Sequence, residues 1–500
     1  MLRVLAVLVF VAVAAGLFLW RTLLPPAPLA VPAQGAVLER VTVVQPGEGR
    51  VRAMRIVIEG GRIASMGPPP TEFATPPHRE SGAGAEPGPD ELVGAFALPG
   101  LIDMHVHFPP DTGLRQGEIF AFLMLLHGIT SVRDAADVDA TSSRPVRDGV
   151  REGRFPGPRS FACGPLVDGP EPIWPNSLVV RDAAEATAAV DHLAAEGWDC
   201  VKAYDRLSPE ALAAVRTAAE RHGLPVIGHV PRSVSFETAH LDDVQHLTGV
   251  AREPGDDRPF PEVLEGWRRF DEARAQAIVD ASLRLGIAHT PTFVVLERGV
   301  AYADYESLRT SAEAALLPRF YADVVWSPVE GIPFLRSRTP EHYALMQDGY
   351  REGAKLVGRL HRAGVAIHAG TDTQIAFIVP GAALHREIRI LSDVAGLGPE
   401  AAMAAATTVP GRALRLERVG RLEPGAPADL VLFRRDPTRD LAALDGIVAV
   451  VADGRLYRRA ELDAQMERYR RYYASPVFDR VSKVLVRRVL ARIFAEQEQE

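Results

Sequence analysis

The chain is predicted to be an α/β protein built on a parallel (β/α)8 TIM barrel, and two observations carry the prediction. Eight strand-like apolar runs alternate with helical stretches, at 98–107, 129–134, 159–163, 199–204, 225–230, 243–247, 287–294 and 365–371. Such alternation is the pattern of repeated βαβ units. No GxGxxG motif follows an early strand, which weakens the alternative of an open doubly wound sheet. Chemistry in a barrel sits at the C-terminal ends of strands, so candidate residues are sought there.

The first strand ends in ALPGLIDMHVHFPP. Residues i and i+2 of a strand point to one side, so His105 and His107 can reach one metal ion, with Asp103 upstream on that side. Strand two ends on Arg133-Asp134, where Arg133 is a candidate to hold a substrate carboxylate in bidentate fashion; an internal ion pair is the competing reading. Strand four ends on Lys202, and Tyr204 two residues beyond faces the same mouth as a candidate oxyanion donor. Strands five and six end on His229 and His246. His289 on strand seven is a substrate-binding candidate, with a structural role as its alternative. Strand eight runs into Ala369-Gly370-Thr371-Asp372. Each residue alone reads equally well as a satisfied core or turn residue. Their coincidence at the ends of strands one, four, five, six and eight argues for a metal site, and imidazole and carboxylate suit zinc, with manganese or iron as alternatives.

Outside the barrel, residues 4–20 are uncharged and lie between Arg3 and Arg21. As a helix they would span roughly 26 Å against a bilayer core of about 30 Å, with snorkelling arginines making up the difference. Residues 1–24 are therefore expected to be an uncleaved membrane anchor; cleavage after Ala12-Val13-Ala14 would instead release a secreted form. A Pro/Ala-rich linker occupies 25–35. Short β-rich runs separated by glycine turns fill 36–67 and recur at 420–457. Residues 250–345 exceed what a barrel needs and carry Trp267, Tyr302, Tyr305, Tyr321 and Trp326, the character of an active-site lid. Near the C-terminus, Val481, Leu485, Val489 and Ile493 repeat at i+4 beside basic residues. That helix is expected to dock on the protein itself or to lie on a bilayer.

Composition narrows the function. Hydrophobic residues at 47% and charged residues at 24% describe a globular protein, and a net charge of −8 gives no electrostatic case for nucleic acid. Cys163 and Cys200 are too few for a disulfide framework or a cysteine zinc site. On neighbouring strands they are expected to be small buried hydrophobes.

The ordered set His105, His107, Lys202, His229, His246 and Asp372 resembles the two-metal amidohydrolases, over most of residues 36–460. GITSVRDAAD at 128–137, HTPTF at 289–293 and AAATTVPGRALRLERVGRLEPGAPADLVLF at 404–433 reinforce the resemblance; the last is similar to the imidazolonepropionase-like and Xaa-Pro dipeptidase-like branch. The resemblance implies a barrel at 98–419, a small β-sandwich drawn from both flanks (36–97 and 420–460) and C-terminal helices at 461–500. It further implies that His105, His107 and Asp372 hold one divalent metal and His229 and His246 a second. Lys202, carboxylated by carbon dioxide to a carbamate, is expected from the resemblance to bridge them. The expected reaction is hydrolysis of an amide C–N bond in a small molecule, a dipeptide or N-acyl amino acid, with Asp372 moving the proton. The alternatives are a cyclic amide or lactone hydrolase and a non-catalytic membrane-tethered binding protein. The catalytic domain is expected to be extracytoplasmic or periplasmic, and oligomerisation is left open.

Overall fold

The computed structural model describes residues 16–17, 21–69, 92–110, 113–137, 140–174, 176–336, 338–414 and 418–494. The expected anchor run at 4–20 therefore lies almost wholly outside the described residues. Among those described, no helix is long and apolar enough to cross a membrane.

Among the described residues the strands are β1 (Ala36–Gln45), β2 (Gly49–Glu59), β3 (Arg62–Gly67), β4 (Phe96–Pro99), β5 (Leu101–Val106), β6 (Ile129–Asp134), β7 (Arg159–Ala162), β8 (Val167–Asp168), β9 (Leu178–Val179), β10 (Val201–Ala203), β11 (Val226–Gly228), β12 (Asp243–Gln245), β13 (Ala288–Thr290), β14 (Leu430–Phe433), β15 (Ile447–Ala452) and β16 (Arg455–Arg458). They form a seven-stranded sheet, β16-β15-β14-β4-β1-β2-β3, and two parallel sheets, β13-β12-β11-β10-β8-β9 and β5-β6-β7. The flanks thus supply one mixed sheet. Its strands alternate between two cores: Val431 and Phe433 face the parallel sheets, while Leu430 and Leu432 join Ile56, Ile58 and Ile63 on the other side. Period-two burial on both faces explains why β14 and β15 are apolar throughout.

The expected ring of eight strands appears as those two parallel sheets rather than one continuous ladder. The run at 365–371 is the exception to regular pairing. Ile367 makes a single bridge to His289, and the Ala369 carbonyl accepts from the Met104 amide at 2.9 Å.

The parallel sheets are tied together from within by Asp243. Its carboxylate accepts from Arg133 Nη2 at 2.8 Å and Thr290 Oγ1 at 2.8 Å and pairs with His368 Nδ1 at 2.7 Å, while Arg133 Nε donates to the Met104 carbonyl at 2.9 Å. Burial alone would raise the Asp243 pKa, but Arg133 and His368 hold it far below the usual carboxylate range. One carboxylate on β12 thereby engages groups on β6 and β13 and in the 365–371 run, and through Arg133 reaches β5.

The two cysteines correct an expectation. Both are buried, but they are bonded to each other, with Cα atoms 4.3 Å apart. Cys163 follows β7 and Cys200 precedes β10, and the crossover helix Ala183–Ala195 between them returns the chain to a neighbouring strand. The Asp199 amide donates to the Ala162 carbonyl at 2.8 Å. A spacing of 37 residues is one βα repeat, so distance in sequence did not mean distance in space.

The long insertion packs on the segment after residue 371. Trp326 and Phe377 rings lie 4.9 Å apart, and Trp326 Nε1 donates to the Gln374 carbonyl at 3.3 Å. Helix Pro476–Phe494 docks on this insertion through Lys483–Asp323 at 2.7 Å and Arg487–Glu330 at 2.5 Å. Two of the basic residues set against its apolar line are therefore spent within the protein.

Two outcomes follow for stability. Replacing both cysteines by serine should lower the free energy of unfolding by about 2–4 kcal/mol in a denaturant titration. Asp243→Ala, which strands a buried guanidinium, should cost about 3–5 kcal/mol, and its circular-dichroism melt should fall well below that of the unaltered protein.

Candidate functional site

Four imidazoles, a lysine and a carboxylate named from the sequence meet at one end of the parallel strands. His105 is the fifth residue of β5, and His107 lies just beyond its end; their Nε2 atoms are 3.2 Å apart. Asp372 Oδ1 lies 3.3 Å from both. His246 follows β12 directly, with Nε2 3.9 Å from Asp372 Oδ2. Nitrogen and oxygen atoms of His105, His246 and Asp372 all fall within 4.8 Å of one another, a spacing suited to a shared cation. The His229 ring lies 5.1 Å from that of His246, and Lys202 in β10 pairs through Lys202↔Ile227 with β11, whose end carries His229.

The backbone accepts local strain to make this arrangement. Asp372 has φ of 59° and His246 of 56°, left-handed values that non-glycine residues adopt rarely and that cluster at functional sites. The Asp372 amide donates to the His105 carbonyl at 2.7 Å, locking the carboxylate over the first strand. Gly228 has φ of 140°, and a Cβ there would stand 2.0 Å from the Ala203 carbonyl oxygen. Glycine lets β11 lie close to β10 at the point where His229 turns into the cleft.

Second partners set which nitrogen is free in three of the four rings. His107 Nδ1 donates to the Ala136 carbonyl at 3.0 Å, and His229 Nδ1 to Asp205 Oδ1 at 2.8 Å. His246 Nδ1 lies 2.6 Å from Thr292 Oγ1, whose own proton goes to the Pro291 carbonyl. In its neutral form each of these rings therefore keeps its proton on Nδ1 and presents the Nε2 lone pair.

Electrostatics agrees. Burial lowers the His105 pKa to about 3 and pushes His229 and His246 down, the latter far, so these rings stay neutral. His107 is the exception: burial opposes its charge, yet the hydrogen bond to Asp372 leaves its pKa raised. Burial would also raise Asp372, but the surrounding imidazoles hold it well below the carboxylate range. Lys202 is 2% exposed and its pKa falls to about 7, through burial first, with Arg133 adding to it against the pull of Asp372. Its Nζ donates to Gln245 Oε1.

Tyr204 sits at the same mouth, its ring 4.4 Å from that of His229. Its hydroxyl accepts from Trp174 Nε1 at 3.0 Å, which leaves the phenolic proton free to donate. Burial raises its pKa, keeping that proton in place.

Two expected substrate contacts are corrected. Arg133 is buried, and its guanidinium is taken up by Asp243, Thr290 and the Met104 carbonyl, so the internal ion pair prevails. His289 is fully buried, hydrogen-bonded to Ser282 Oγ at 3.0 Å and stacked on Phe236, which is the structural role. Asp103 likewise turns to Thr371, accepting from its hydroxyl at 2.7 Å, and braces the turn that carries Asp372. Conversely, Asp205, Thr292, Trp174 and Gln245 escaped notice. Asp205 and Thr292 lie in strand-end segments already singled out, three residues past Lys202 and within HTPTF, and a search for partners to each candidate histidine would have reached them.

Comparison with known proteins agrees with this fold. The chain resembles the solved structure of a bottromycin amidohydrolase, with a TM-score of 0.67 at 22% identity over 88% of this chain and 91% of that one. A Xaa-Pro dipeptidase with methionine bound in its active site superposes with a TM-score of 0.60 at 19% identity, over 85% and 100% of the two chains. A putative prolidase from Bifidobacterium longum gives 0.59 at 23%, over 88% and 99%. Comparison with curated protein sequences gives no match. The model of the amidohydrolase family matches residues 96–457, which take in both parallel sheets and every residue of the cleft just described, and the chain belongs to that family.

Proposed function

We propose that this chain is a binuclear metal-dependent hydrolase that cleaves an amide C–N bond, with a dipeptide or an N-acyl amino acid as substrate. The observation that carries the reading is the set of imidazoles whose Nδ1 protons are engaged outward, on Ala136, Asp205 and Thr292, while the Nε2 atoms of His105, His107 and His246 converge on Asp372. Converging lone pairs repel unless a cation lies among them, and neutral imidazoles with a carboxylate are suitable zinc donors. In this reading the two parallel sheets are arcs of one (β/α)8 barrel, and the links Ile367–His289 and Met104–Ala369 support its closure.

His105, His107 and Asp372 would hold one divalent ion, most simply zinc, and His229 and His246 the second, with a carbamate on Lys202 between them. When bound, the ions supply a water acidic enough to ionise near neutral pH and polarise the scissile carbonyl. Asp372, ionised and held over His105 by its backbone, takes the proton and delivers it to the leaving nitrogen. Tyr204 donates its free phenolic proton to the developing oxyanion. Trp326 and Phe377 hold the insertion over the segment that carries Asp372, which favours exclusion of water from the cleft.

The buried disulfide is consistent with an oxidising, extracytoplasmic compartment, and residues 4–20 serve in this reading as the membrane tether. A binding protein that merely retains the fold is disfavoured because no member of the donor set is missing.

The test is hydrolysis of a panel of dipeptides, including those ending in proline, and of N-acyl amino acids by zinc-loaded protein. At least one class should be turned over, and Asp372→Asn should lower kcat on the order of 10²–10⁴-fold; no turnover of any amide by fully loaded protein would refute the reading. Lys202→Ala should reduce bound metal, measured by elemental analysis, from about two ions per chain to about one or fewer, whereas unchanged loading would deny the lysine a bridging role.

A further inference from the structure

Gln245 is fully buried in β12, one residue before His246, and its amide is only half satisfied. Oε1 accepts from Lys202 Nζ, but Nε2 has no hydrogen-bond partner. Buried amide donors without an acceptor are rare in folded proteins, and each calls for an explanation. The Lys202 amine cannot supply one while it is itself donating to the other arm of the same amide.

A carbamate offers what is lacking. When the free amine of Lys202 attacks carbon dioxide, an N–C bond forms, one C=O electron pair moves to oxygen, and one of the nitrogen's protons is released to solvent. The product keeps an N–H and gains two oxygens that share one negative charge. The N–H can go on donating to Gln245 Oε1, and an oxygen can accept from the orphaned Nε2. Resting on the reading of Lys202 given above, we infer that Gln245 is the positioning residue that selects and holds the carbamate on Lys202, its two amide arms matched to the N–H and an oxygen of that group.

Two substitutions separate this role from simple packing. Gln245→Glu is nearly isosteric and keeps an acceptor for Lys202, but it removes the donor and sets a negative charge against the carbamate. Gln245→Leu removes both arms. Full-length protein equilibrated with 13C-bicarbonate and zinc is examined by 13C NMR for a carbamate resonance, which Lys202→Ala must abolish. The resonance should be present in the unaltered protein. In both Gln245 variants it should be absent, or should decay on the order of tenfold faster once carbon dioxide is stripped, while circular-dichroism melts show each variant folded. If the unaltered protein carries the resonance and both folded variants retain it with the same lifetime, the role of Gln245 is overturned and that of Lys202 stands. If the unaltered, zinc-loaded protein shows no resonance, the carbamate itself is refuted and this inference falls with it.

Discussion

The site depends on where its imidazoles keep their protons. Holding one ring nitrogen fixes the direction of the other's lone pair, and for His107, His229 and His246 the holders are a backbone carbonyl, a carboxylate and a threonine hydroxyl supplied by other strand ends. Each holder is itself anchored: Asp205 by Arg232 at 3.3 Å, Thr292 by the Pro291 carbonyl and by the turn opening helix Phe293–Ala301. That turn is fixed in its own right by Glu387, whose buried carboxylate accepts from the Phe293 and Val294 amides at 3.0 and 2.8 Å. The cleft is thus preorganised from outside inward, as tight coordination demands.

The same logic runs through the interior below it. A charged Arg133–Asp243 pair inside parallel sheets is costly to desolvate and is retained only where further hydrogen bonds satisfy it. Thr290, His368 and the Met104 carbonyl do so. The hub stands in register with Lys202 through Ile227 of β11 and ties together strands whose ends carry the site. Beyond Asp372, the insertion packs on the segment around Phe377 and helix Pro476–Phe494 packs on the insertion in turn.

Much of this was legible in the sequence, and the boundary is physical. His105 and His107 announce themselves through the period of two, and Lys202, His229, His246 and Asp372 through polar residues ending apolar runs. Such signals are local. What failed was whatever depended on partners across the fold. Arg133 at a strand end looks the same whether it points to a ligand or to Asp243 more than a hundred residues on. Cys163 and Cys200 meet because one crossover returns the chain to a neighbouring strand, and their spacing alone does not say so. Asp205 and Thr292 carry no pattern of their own; only the rings they hold give them meaning. The flanking strands read correctly as β-rich, but their union into one seven-stranded sheet follows from the two-sided burial of β14 and β15, which a string of apolar residues does not distinguish from an ordinary core strand.

The central claim is that the converging lone pairs surround two cations. Anomalous diffraction from crystals of zinc-loaded protein, collected on both sides of the zinc absorption edge, tests it directly. The account predicts two peaks in the cleft, one among His105, His107 and Asp372 and one beside His229 and His246, with density from Lys202 reaching both. A cleft without anomalous density, or a lone peak away from these residues, would contradict it.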